Sequence, residues 1–362
     1  TEKEFWKRTI NITFKGSYSD AKKQVLSNLE EAVKLRLESE VPMAVLLSGG
    51  IDSTAIAHFA KKHKPDIKAL TIGYEGGPDC DESNLAAEFA KEKSIELTHI
   101  ELDFNDFKEY LNEFLPVLDE PNGDISTFAQ WGLYKKAKEL GYKVLLSGNG
   151  GDELFFGYTC YNRAAVKLKG LEEFTSKTLP ISGYKDFVKL LLGPIKFIKL
   201  FRDFVPPRDI YTYFNNNFNY KNDGPNITPS TWFNSNLSHE DSVYEFVFNI
   251  WLTNNCFQLS DKLGMGNSLE IRCPFADNNL VDFIHTVPLN YRFTNHKPKK
   301  LLKDSLENIL PDFILKQPKR GFNSPSKYIS DLLPKEIKSK NRAHPYAHYI
   351  SQLMTGQQYG GK

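Results

Sequence analysis

Four short strand-like runs recur along the first part of the chain: MAVLLS at 43–48, IKALTIGY at 67–74, IELTHIEL at 95–102 and KVLLSG at 143–148. Runs such as MAVLLS are apolar on consecutive residues, as a strand buried on both faces must be. Helical periodicity fills the intervals. Val25, Leu26, Leu29, Val33 and Leu37 stripe one face of residues 20–38, and STAIAHFAKKH, DESNLAAEFAKEKS (81–94) and residues 126–141 follow the same rule. Asp81 is placed to cap the helix that opens there. Strands alternating with helices at this spacing predict an α/β fold, with a parallel sheet covered by helices on both faces. In such sheets ligands bind beyond the carboxyl ends of the strands.

After about residue 160 the pattern changes. Residues 165–245 are rich in Phe, Tyr, Asn and Lys without strand alternation, and 240–350 reads as helical stretches broken by RCPFADN and QPKRGFNSP. The chain of 362 residues is long enough for two ordinary domains. We expect an N-terminal extension (1–19), an α/β core (20–160) and a mainly helical portion (161–362) that packs beside the sheet and closes a cleft.

Two expected strand ends carry glycine loops. LLSGGIDST (46–54) follows a strand and opens a helix, whose free N–H groups and positive dipole end suit an anion. No Lys-Ser/Thr pair follows, so this is not the GxxxxGK[ST] phosphate loop. A carboxylate, Asp52, stands at the phosphate site, which makes sense if a divalent cation bridges the two. The plainer reading makes Asp52 a helix cap. LSGNGGDE (146–153) repeats the logic: Asp152 joins Asp52 around Mg²⁺, or the stretch is a glycine turn with surface acids.

Together with SLEIRCPFAD (268–277) and PKRGFNSP (318–325), LSGNGGDELFFGY resembles the synthetase domain of the asparagine synthetase family, and SGGIDS resembles the loop of the ATP pyrophosphatase (PP-loop) superfamily. The likeness spans roughly residues 20–330 with its motifs in order. It implies an adenine nucleotide alpha-hydrolase-like fold and a ligase that adenylates a carboxylate with ATP and lets an amine attack the acyl-adenylate. It also implies site roles. Ser48, Gly49, Gly50, Asp52 and Ser53 would hold pyrophosphate, and Asp52 and Asp152 would bind Mg²⁺. Leu47, Ile72, Ser147 and Gly148 would meet the adenosine. KPKKLLKDSL (297–306) matches the segment with the family's catalytic lysine, aligned here to Lys299, with Lys297 and Lys300 as rivals.

Two departures from the family shape the expectations. Only 47 residues precede SGGIDS, so the family's glutaminase domain is expected to be absent, and ammonia to come from solution or a separate glutaminase subunit, or the nucleophile to be another amine. The family places Glu where Asn149 stands, and its relatives that close β-lactam rings place Tyr. A carboxylate there takes a proton from an incoming amine or helps place the substrate; an amide only orients it by hydrogen bonds.

Other features are less specific. Glu270, Arg272 and Asp277 form either an ion-pair brace or a substrate-orienting set; the brace is favoured, since breaking such a network is costly. Lys319 and Arg320 with Gly321 form a basic turn that either folds over pyrophosphate or stays solvated. His58, His63 and His99 lack metal spacing, and Phe155, Phe156 and Tyr158 read as packing. Lys plus Arg (46) balance Asp plus Glu (45), which argues against a nucleic-acid or anionic-membrane partner. No apolar run approaches the roughly 20 residues that cross a bilayer. The opening TEKEFWKRTI is too charged for a signal peptide, and four scattered cysteines (Cys80, Cys160, Cys256, Cys273) fit reduced thiols in the cytoplasm. Two competing functions remain open: a non-catalytic nucleotide-binding regulatory or scaffold subunit, and a PP-loop enzyme that activates a nucleic-acid base for thiolation. The charge balance and lack of a cysteine motif weigh against the latter.

Overall fold

Five parallel strands build one sheet in the order β3-β2-β1-β4-β5. The structure is a computed structural model that describes residues 10–158 and, apart from 242–243, 246, 295–296, 319–320, 323 and 339–344, residues 241–355. Four strands are those the sequence predicts: β1 Met43–Leu46, β2 Lys68–Tyr74, β3 Glu96–Leu102 and β4 Val144–Leu146. Their side chains alternate between two apolar clusters. Met43, Val45, Ala69, Val144 and Leu146 enter one, while Ala44, Leu70, Ile72 and Leu145 enter the other. At β1 and β4 both faces are therefore dry, which explains their unbroken apolar runs, whereas β3 at the sheet edge is mostly exposed or half-buried. Helices α1 (Tyr18–Arg36), α2 (Ile51–His63) and α3 (Ser83–Glu92) cover the first cluster, and α4 (Phe104–Phe114) and α5 (Ser126–Glu139) the second.

Asp81 does not sit at the N-cap of α3, a place taken by Glu82. Its Oδ1 accepts from the Ser83 amide (2.8 Å) and its Oδ2 from the Tyr74 amide (2.8 Å), so it ties the end of β2 to α3.

The later part of the chain supplies a short helix α6 (Gly151–Leu154), a wide-wound π-helical segment Val247–Phe257, and helices α7 (Gln258–Gly266), α8 (Asn278–Thr286) and α9 (Lys300–Ser305). It also supplies β5, Glu270–Arg272, which the sequence pattern does not predict. β5 pairs in parallel with β4, with Ile271 opposite Leu145, and brings part of the region read as mainly helical into the sheet. Arg272 there pairs with Glu270 (Nε to Oε1, 2.8 Å) and donates to the backbone oxygens of Arg36 (2.9 Å) and Glu38 (2.7 Å). Asp277 caps α8 and accepts from Arg36 Nη1 at 2.9 Å. These residues brace the edge of the sheet against the C-terminal end of α1.

The strand order fixes where the site lies. From β1 the chain builds outward through β2 and β3, then returns to place β4 and β5 on the other flank. The carboxyl ends of β1 and β4 thus border the point where the order reverses, the place where sheets of this kind leave a crevice.

Candidate active site

A cavity of about 650 Å³ opens at that crevice, and both glycine loops line it. The end of β1 contributes Leu47, Ser48, Gly49 and Gly50, and the first turn of α2 contributes Asp52 and Ser53. Ile72 comes from β2. The end of β4 contributes Ser147, Gly148 and Asn149; Asp152 comes from α6 and Lys299 from the turn before α9. The residues assigned above to nucleotide and metal, together with Asn149 and Lys299, therefore line the same space. Lys319 and Arg320 lie outside the described residues, though Pro318 and Gly321 on either side of them line the cavity.

The first loop is shaped to receive an anion. Gly49 has φ +81°, and a Cβ there would stand 2.8 Å from Leu85 Cβ, so glycine is required. Gly50 is the N-cap of α2 and offers no capping side chain. Asp52 is thus not the cap, and the amides of the first turn have no side-chain partner there. Ser53 Oγ accepts from the Ser48 amide (3.1 Å), donates to Gly50 O (3.1 Å) and lies 3.0 Å from Ser48 Oγ, which holds the loop closed.

Asp52 and Asp152, from opposite sides of the crevice, converge on one point. The Lys299 ammonium sits there, 2.6 Å from Asp152 Oδ1 and bonded also to Asp52 Oδ2. Burial alone would drive the proton off Lys299, but Asp152 and then Asp52 outweigh it and hold the ammonium well above the usual lysine range. Lys299 also has φ +54°, a left-handed conformation uncommon outside glycine. Of the three candidate lysines it alone lines the cavity. Lys297 pairs with Asp304 at 2.5 Å, and Lys300 lies 3.5 Å over the Tyr18 ring. Close by, Gly157 leaves no room for a side chain, because a Cβ would overlap Asp152 Oδ1 and Lys299 Cε.

Several cavity residues escape the sequence reading. Tyr158, read as packing, lines the cavity while Phe155 and Phe156 are buried in the core. Its hydroxyl donates to Glu153 Oε1 (2.6 Å) and accepts from Trp251 Nε1 (3.3 Å). Burial and then the charge of Asp152 push the Glu153 carboxyl upward. Trp251, Asn255 and Cys256 reach the cavity from the π-helical segment, whose wider turn places residues four and five apart on one face. Asn255 Nδ2 donates to Asp124 Oδ2 at 3.0 Å. Lys303 is the last of these; its spacing of four from Lys299 on α9 was the available signal.

A family profile described as asparagine synthase matches residues 24–349. The chain belongs to the asparagine synthase family. It is similar to the glutamine-hydrolyzing asparagine synthetase 1 of Bacillus subtilis, with 27% identity over 92% of this chain and 55% of that protein. Asparagine synthetase 3 of the same organism is 28% identical over 84% of this chain and 49% of its own length. The chain thus spans about half the length of these curated relatives. Among solved structures it is similar to the U34-tRNA thiolase NcsA of Methanococcus maripaludis, at 18% identity and a TM-score of 0.30, covering 72% of this chain and 88% of that one. Within the asparagine synthase family assignment, the sheet order and the crevice at its reversal point define the fold class expected from the sequence: a parallel α/β sheet flanked by helices. Among the described residues, no helix is long and apolar enough to cross a membrane.

Proposed function

We propose that the chain is an ATP- and Mg²⁺-dependent carbon–nitrogen ligase. It joins a carboxylate to the α-phosphate of ATP, releasing pyrophosphate, and then passes the acyl group to ammonia or another amine, releasing AMP and a proton. The observation that carries this reading is the meeting of Asp52 and Asp152 at one cation point inside a cavity that a helix N-terminus also faces. Residues 20–160 form the ATP-binding core in this reading, and 161–362 the portion that closes the cleft.

The donor set fits Mg²⁺. Two carboxylates already share a cation, here the Lys299 ammonium, and among the described residues no cluster of three or more acidic, His or Cys ligands offers a closed protein cage. Mg²⁺ is usually held in that way, by one or two carboxylates with phosphates and water completing the shell. When bound, the ion neutralises the charge of the departing pyrophosphate. The protein's residues do the rest. Ser48, Gly49, Gly50, Asp52 and Ser53 cradle the pyrophosphate against the start of α2. Leu47, Ile72, Ser147 and Gly148 form the adenosine wall. The Lys299 ammonium stabilises charge that builds at the α-phosphate in both half-reactions. Asn149 orients the acceptor or the amine, since its amide has no basic site to take a proton.

The shared chemistry of the family and the cavity supports ATP as the nucleotide in a cytoplasmic setting; the partners are a small-molecule, peptide or sugar carboxylate and an amine. The decisive experiment is carboxylate-dependent ATP–pyrophosphate exchange over a panel of acids, with Asp52→Ala as control. Exchange that the substitution abolishes supports the ligase. Nucleotide binding with no exchange for any acid supports a non-catalytic nucleotide-binding subunit instead.

A further inference from the structure

Four lysines crowd the segment 297–303, and the structure gives three of them work within the fold. Lys297 pairs with Asp304, Lys300 lies against Tyr18 and Asp304, and Lys299 is held between Asp52 and Asp152. Lys303 is the fourth. It lies on α9, its amide donates to the O of the N-cap residue Lys299 at 2.8 Å, and it lines the same cavity. Its side chain makes no hydrogen bond or ion pair with the described residues.

That placement is unfavourable for the protein alone. Burial, then the charges of Lys299 and Lys297, press the Lys303 ammonium below the usual lysine range, and Asp52 is the acid that opposes them. Among the described residues the acid whose charge reaches Lys303 is Asp52, on the SGGIDS side of the shared cavity. The same space receives the uncapped start of α2. An ammonium and a helix N-terminus facing one cavity are complementary to a polyanion, and a phosphate chain is the polyanion this site is built around.

We propose that Lys303 binds the β- or γ-phosphate of ATP, as a second cation of the pyrophosphate subsite distinct from Lys299. The inference rests on the adenylation reading above and adds a division of labour to it. Lys299 serves the reacting α-phosphate beside the two aspartates, while Lys303 holds the part of the nucleotide that leaves.

Calorimetric titration of the purified chain in Mg²⁺ with ATP, pyrophosphate and AMP tests this directly. Lys303→Gln is expected to weaken ATP and pyrophosphate binding by roughly tenfold to a hundredfold, the range of a lost charge-assisted contact. AMP, which lacks the outer phosphates, should bind as before, and Lys303→Arg should recover most of the loss. Equal loss of AMP binding would mark a structural defect and overturn the proposal. So would unchanged ATP binding coupled to a raised KM for the carboxylate, which would assign Lys303 to the other substrate. If the unaltered chain binds no ATP, the adenylation reading itself falls, and this inference with it.

Discussion

Lys299 bridges two carboxylates that approach from opposite loops, lying 2.6 Å from Asp152 Oδ1 and bonded to Asp52 as well. The lysine is almost fully buried, with 3% of its side chain exposed, against 15% for Asp52 and 13% for Asp152. Removing it leaves two acids facing each other out of water. Lys299→Met should therefore lower stability by about 3 kcal/mol or more in the absence of metal. On the proposed function Mg²⁺ would take the place of the lost cation, so millimolar Mg²⁺ should raise the melting temperature of the variant more than that of the wild type. Amide formation should fall away while ATP still binds. A variant whose melting is indifferent to Mg²⁺ would refute the metal point.

Gly157 sets a steric condition on the same spot. Its missing side chain makes room for Asp152 Oδ1 and Lys299 Cε. Gly157→Ala must push one of them aside, at a cost of about 1–3 kcal/mol. ATP–pyrophosphate exchange should drop by about a hundredfold, since a displacement of about 1 Å at the reacting centre has effects of that size. Retention of full exchange by Gly157→Ala would show that the pair relaxes without consequence.

In the proposed reaction Asn149 is expected to separate the two half-reactions. Because it stands on the β4 side of the cavity and carries no charge, Asn149→Ala should leave exchange within about threefold and slow amide release by about tenfold, the worth of one hydrogen bond. Rapid quench measurement of acyl-adenylate and amide tells the steps apart, and equal loss in both would place Asn149 in adenylation.

The brace at the sheet edge predicts a different signature. Asp277 caps α8 and pairs with Arg36, and neither residue lines the cavity. Asp277→Ala should cost about 1–2 kcal/mol, as helix-cap losses do, and leave the KM for ATP unchanged. Urea denaturation with parallel kinetics checks both halves; a raised KM would return Asp277 to the substrate site.

What was legible in the sequence follows from what shaped it. β1 and β4 are buried on both faces, so their apolar runs announce them, and the glycines that follow are forced by backbone geometry at Gly49 and by crowding elsewhere. β5 is three residues long, lies at an edge and contains Glu270 and Arg272, so neither length nor hydrophobicity marks it. Tyr158, Trp251 and Asp124 were hidden for another reason. Their chemistry depends on partners far away in sequence, and the π-helical spacing that gathers Trp251, Asn255 and Cys256 matches neither periodicity a sequence reading looks for. Lys303 stood in plain view, but four lysines in one short segment look alike until the fold gives three of them partners.

The pairing of Val45 with Leu146 has a kinetic meaning as well as a geometric one. It joins residues separated by about a hundred positions, a non-local contact of the kind that forms slowly. Each glycine loop alone lines only part of the cavity, so a chain in which β1 and β4 have not yet met lacks it. On the proposed function, ATP would recognise only the finished sheet and stabilise it by mass action, so nucleotide binding would report that β1 and β4 have met.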